Sequence, residues 1–116
     1  MMRRGELRFV DFEPVRGVEA NKRRPAVIVS NDGANNAAAR LGRGVITVVP
    51  VTSNVQRVLP FQVLLSRGTA GLERASKAQA EQVRSVAVER VGRPLGQLAA
   101  ATMAELDEAL RLHLAL

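Results

Sequence analysis

The run Val45-Ile46-Thr47-Val48-Val49-Pro50-Val51-Thr52 is β-branched at every position except Pro50. Side chains branched at Cβ are stiff about χ1 and fit a pleated strand better than a helix. The run is continuously apolar rather than alternating, which predicts a strand covered on both faces. Pro50 has no N–H to give to a ladder, so it marks an edge or a bulge near the end of that strand.

Upstream, Pro25-Ala26-Val27-Ile28-Val29-Ser30 is a second strand candidate, followed by the turn signal Asn31-Asp32-Gly33. Residues Ala34 to Leu41 are rich in Ala and Asn and predict one or two turns of helix, closed by Gly42-Arg43-Gly44. Gly5 to Glu13 alternates loosely and reads as a first strand. Between these strands, Pro14 to Arg24 forms a polar hairpin loop of about ten residues, longer than usual and of the kind that often carries function.

Downstream, Ser53 to Pro60 reads as a connecting loop and Phe61 to Ser66 as a fourth strand, with a turn over Arg67–Gly71. Ser76 to Val86 is ambiguous. Its Ala, Lys, Glu and Gln favour helix, yet it alternates, and the surrounding strands tip the reading to β. Val91 to Leu98 is a short last strand. The chain then turns helical: Thr102-Met103-Ala104-Glu105 has the form of a capping box, with Glu105, Asp107 and Glu108 near the positive end of the dipole. Met103, Leu106, Leu110 and Leu114 make one apolar stripe that packs on the sheet or on a partner subunit. His113 falls in the last turn, where a cation suits the dipole, and receives no catalytic role. Short strands with turn signals and one terminal helix predict a mainly β, barrel-like domain over residues 1–116 rather than a parallel α/β fold.

Composition narrows the chemistry. With 116 residues there is room for one hydrophobic core. The absence of Cys excludes disulfides, thiolate metal sites and a cysteine nucleophile, and a single histidine excludes a His-rich metal cluster. No apolar run approaches the roughly 20 residues of a membrane span, and the start Met1–Glu6 lacks a signal-peptide core, so the expectation is a soluble cytoplasmic protein. The net charge is +6, and residues 95–116 hold one basic group against three acidic ones. The positive excess therefore lies in the preceding strands and loops, which suits a polyanionic partner such as nucleic acid.

Read singly, the polar residues are unremarkable as signals. Arg24 is one more surface cation beside Lys22 and Arg23, Thr52 a strand residue, and Ser53 and Asn54 turn formers. Read together, Arg4-Gly5-Glu6, Asp11, Pro14, Gly17, Glu19, Arg24-Pro25 and Ser30-Asn31-Asp32 resemble the MazF/PemK family of toxin endoribonucleases from bacterial toxin–antitoxin modules. The resemblance runs on through Val49–Asn54 and Lys77–Ser85 into Leu106-Asp107-Glu108-Ala109-Leu110, almost the whole chain.

That resemblance implies an SH3-like (CcdB/PemK) antiparallel β-barrel with a C-terminal helix, assembled as a homodimer. It implies metal-independent cleavage of single-stranded RNA, chiefly mRNA, without a cofactor, leaving 2′,3′-cyclic phosphate and 5′-hydroxyl ends. It also implies a MazE-like antitoxin that occupies the RNA groove. The catalytic pair would be Arg24 and Thr52. RNA contacts would come from Glu19 and Arg23 of the first hairpin, Ser53, Asn54 and Gln56 after the third strand, and Glu81 and Gln82.

Two positions depart from the pattern: Arg8 stands where relatives commonly carry an aromatic residue, and Val18 where Ser is frequent. The first bears on packing and the second on RNA sequence preference. A competing reading is a non-catalytic toxin of the CcdB type that binds gyrase, or a degenerate RNA-binding homologue. The Arg24-Pro25 and Thr52-Ser53 pairs favour the ribonuclease.

RNA brings its own nucleophile, the 2′-hydroxyl, so the protein need only orient it and stabilise the phosphorane. An arginine fork that stays charged suits the second task, and a threonine hydroxyl the first. Pro25 restricts Arg24 to extended backbone, which fixes where its side chain starts.

Overall fold

A computed structural model describes residues 2–12 and 23–116; residues 13–22, with Val18 and Glu19, lie outside the described residues, while Arg23 and Arg24, expected to end the hairpin loop, already belong to the second strand. In chain order the elements are β1 (Glu6–Asp11), β2 (Arg23–Ile28), α1 (Asp32–Leu41), β3 (Val45–Thr52), β4 (Gln62–Leu65), β5 (Ser76–Gln79), β6 (Arg84–Ala87), β7 (Val91–Gln97) and α2 (Ala100–Leu114). The strands form one sheet in the order β4-β5-β3-β2-β1-β7, with β6 also on β3, and all pairings are antiparallel.

The decisive run forms β3 over the predicted residues, and both its faces are covered. Ile46 and Val48 join Ala26, Ile28, Val10 and Ala38 in a core under α1, while Val49 and Val51 join Val27, Leu7, Leu106 and Leu110 in a core under α2. Alternate residues of one strand thus feed opposite cores, which is why the run is apolar throughout.

Pro50 lies neither at a sheet edge nor in a bulge of β3. It pairs with Ala26 of β2, and on its other side it falls where β3 changes partner, from β6 (ending at Val48↔Arg84) to β5 (starting at Val51↔Ala78). Between those two pairs β3 advances three residues and the opposing chain six. The three-residue surplus is taken up by a 3-10 turn, Ala80–Gln82. Residues 76–86 are therefore two strands and a turn rather than one strand, and the missing proline N–H falls in the gap between ladders.

Three further expectations change. The sheet does not close into a barrel: the path ends at β4 and β7, and the turn Thr69–Gly71 lies on β7 there in place of a strand pair. The approach is backbone to backbone, since a Cβ on Gly71 would stand 2.4 Å from the Leu95 carbonyl oxygen and one on Gly96 2.6 Å from that of Ala70. Helix α1 starts earlier than expected, because Asn31 serves as N-cap, accepting from the Ala34 N–H at 2.8 Å, and Gly42 closes it at φ 67°.

Helix α2 also starts earlier, with Ala99 at the N-cap and no side-chain cap, so Thr102 is an interior residue and no capping box forms. The Ala99-Ala100-Ala101 run, the best helix former available, extends the helix backwards. The first turn then holds no acid, and Asp107 instead binds Arg4 at 2.7 Å. Leu106 and Leu110 are buried and Met103 packs beside them, whereas Leu114 is exposed. Arg8, the departure in β1, is accommodated by Glu6 at 2.8 Å and by the Gly92 carbonyl at 3.0 Å.

Candidate active site

Arg24 and Thr52 come together through the β2–β3 register. The ladder's last pair is Ala26↔Pro50, and continuing it by two residues brings Arg24 level with Thr52. Both line a cleft of about 730 Å³, whose other lining residues include Phe9, Pro25, Val51, Ser53, Leu72, Glu73, Arg74, Ser76, Arg93 and Leu95. Gly71, whose turn lies close against Leu95 of β7, also lines the cleft.

Arg24 is exposed, and its Nη2 donates to Gln79 Oε1 at 3.3 Å, a long bond that leaves most of the guanidinium fork available. Thr52 is half-buried, and its Oγ1 accepts from the Asn54 N–H at 3.2 Å, which aims the hydroxyl proton elsewhere. Arg93 stacks over the Phe9 ring at 4.7 Å, a cation–π contact that holds its charge at the cleft wall. Among the described cleft residues Arg24, Arg74 and Arg93 face a single carboxylate, Glu73, so the cavity is net positive. Such a surface attracts phosphates and focuses their potential.

The remaining predicted residues are spread around this cleft. Ser53 lines it. Asn54 and Gln56 follow in the exposed loop, where Asn54 Oδ1 accepts from the Gln56 N–H at 3.3 Å. Arg23 is exposed at the start of β2, opposite Asp11 and beside Gly92. Gln82 is exposed in the 3-10 turn, but Glu81 turns inward: Oε2 accepts from Gln62 Nε2 at 2.7 Å, and Oε1 is buried without a partner among the described residues. Phe9, Arg74 and Arg93 were not anticipated as cleft residues. Arg74 and Arg93 reach the cleft through contacts distant in sequence, and only Phe9, one of three aromatic residues, carried a local signal.

The family model for the PemK-like, MazF-like toxin of type II toxin–antitoxin systems matches residues 3–114. The chain belongs to that family. It is 67% identical over 114 residues to endoribonuclease MazF9 of Mycobacterium tuberculosis, covering 98% of this chain and 97% of that one. Endoribonuclease EndoA of Bacillus subtilis is 31% identical over 117 residues, covering 100% and 97%. The MazE–MazF crystal structure (Form-II) from Deinococcus radiodurans superposes with a TM-score of 0.78 at 27% identity, covering 99% of this chain and 96% of that one. These toxin relatives are named as endoribonucleases, which supports the ribonuclease reading and not the gyrase-binding alternative. Among the described residues of this toxin, no helix is long and apolar enough to cross a membrane.

Proposed function

We propose that this chain is the toxin of a toxin–antitoxin module, a metal-independent, sequence-specific endoribonuclease acting on single-stranded RNA, with mRNA as its cellular substrate. The whole chain acts as one toxin domain in the cytoplasm, as a homodimer held in check by a MazE-like antitoxin. The observation that carries the reading is the β2–β3 register, which brings Arg24 and Thr52 level at one net-positive cleft.

The reaction needs no group from the protein that becomes covalently attached. The 2′-oxygen attacks the adjacent phosphorus, its proton is lost, the bond from phosphorus to the 5′-oxygen breaks, and that oxygen gains a proton. The products are a 2′,3′-cyclic phosphate and a 5′-hydroxyl. Arg24 presents paired N–H donors to the non-bridging oxygens, where charge builds in the phosphorane. Because an arginine stays protonated at working pH, its role is charge stabilisation before proton transfer. Thr52, with its lone pair engaged by Asn54 N–H, donates its proton to a phosphate oxygen and fixes the in-line geometry. Ser53, Asn54, Gln56, Arg23, Gln82 and Glu19 contribute to base and backbone recognition. Glu81 contributes from within the fold.

Incubating the purified protein with a long single-stranded RNA in EDTA, and mapping ends by primer extension, tests this reading. Discrete cuts are expected from the wild type and not from a folded Arg24→Ala variant. An uncut RNA, or cuts undiminished in the variant, would refute it.

A further inference from the structure

The loop between β3 and β4 has no strand partner from Ser53 to Phe61, yet two buried polar side chains, Lys77 of β5 and Gln62 at the start of β4, bond to it, and Glu81 in turn holds Gln62. Lys77 is the register partner of Thr52 on one side and of Leu64 on the other, so it sits in the central position between β3 and β4. It is 9% exposed, and its Nζ donates to the Arg57 carbonyl at 2.5 Å. Gln62, also buried, accepts the Leu59 N–H on Oε1 at 2.9 Å, while its Nε2 donates to Glu81 at 2.7 Å. The amide of Gln62 is thus fixed at both ends, and Glu81 sets which way round it points.

We propose that Lys77 and the Glu81–Gln62 pair are positioning residues that hold the Ser53–Gln56 segment in the conformation that reads RNA. This rests on the ribonuclease reading above. A loop with no ladder of its own takes its shape from such side-chain anchors. These two grip the far end of the segment, Arg57 and Leu59, while Thr52 and Asn54 grip the near end. Arg24 and Thr52 stand on β2 and β3, which the anchors leave in place. Loosening the loop therefore weakens RNA binding and base discrimination more than the chemical step.

The test compares wild type with Lys77→Met, which keeps the aliphatic stem and loses the ammonium, and with Glu81→Ala. Each is measured by hydrogen exchange at the Leu59 amide and by kcat and KM on an RNA oligonucleotide containing one mapped cleavage site. Lys77→Met and Glu81→Ala are expected to exchange Leu59 at least tenfold faster and to raise KM about tenfold, with kcat within about threefold of wild type. They should also cut additional sequences in a long RNA.

Unchanged exchange would show that the anchors do not hold the loop, and faster exchange with unchanged KM and unchanged cut sites would show that its order does not matter; either overturns the proposal. A loss confined to kcat would mark a reduced folded fraction and also overturn it. Should Glu81→Ala fail to fold, Lys77→Met carries the same comparison. Exchange is read without activity, so an inactive wild type would refute the ribonuclease reading separately.

Discussion

Arg24 and Thr52 are asked to do different things, and substitutions separate them. Arg24→Lys keeps the charge and loses the planar fork, so kcat/KM should fall by about 10- to 100-fold. Thr52→Val keeps the shape and β-propensity and loses one neutral hydroxyl bond, about 1 kcal/mol, for a fall of roughly tenfold or less. Steady-state kinetics on a single-site oligonucleotide distinguishes the two, and a larger loss at Thr52 than at Arg24 would reverse their assigned weights. Neither residue declares itself locally: an arginine before a proline and a threonine closing a strand are ordinary. Their place in a family pattern singled them out, and the register that brings them level is a long-range fact. Arg74 and Arg93 had no comparable pattern, which is why only the fold reveals them at the cleft.

At the scale of elements, β3 was the most legible because nearly every residue in it favours a strand and both faces are apolar. The start of α2 and the segment 76–86 were harder for opposite reasons. A polyalanine stretch prolonged the helix past a good capping sequence, whereas Ala, Gln and Glu were shared between two strands and the turn that absorbs their register difference. Helix α2 is held mainly by Leu106, which is fully buried, with Leu110 and Ala109 beside it. Leu106→Ala should therefore destabilise the fold by about 2–5 kcal/mol, read as a lowered midpoint in urea unfolding. A change below 0.5 kcal/mol would mean that the helix contributes little to the core. His113 is exposed near the end of α2, its ring 6.1 Å from that of Phe61.

For the whole molecule, the legible features were the mainly β class, the terminal helix and the uneven charge; the open sheet was not, because it depends on a turn lying on β7 in place of a strand pair. Gly71 of that same turn also lines the cleft, so the contact that stands in place of a strand pair borders the candidate site. Three arginines on the cleft predict a binding constant that falls with salt, with a log–log slope near −2 if each neutralises one phosphate of a single strand. Arg74→Ala and Arg93→Ala should each reduce that slope by about 0.7 while leaving the cut sites unchanged, since phosphate contacts carry no base information. Filter binding across a salt series with the inactive Arg24→Ala background checks the increments, and an unaltered slope would place the RNA elsewhere.

The central claim is that the protein supplies stabilisation and geometry while the RNA supplies the nucleophile. Replacing the single ribose 5′ to the mapped scissile phosphate by 2′-deoxyribose, in an otherwise identical oligonucleotide and in EDTA, tests it most directly. Cleavage at that bond is predicted to vanish while the modified strand still competes for binding with near-normal affinity. Continued cleavage of the deoxy-substituted bond would show that the attacking group comes from the protein or from water, and would contradict the mechanism.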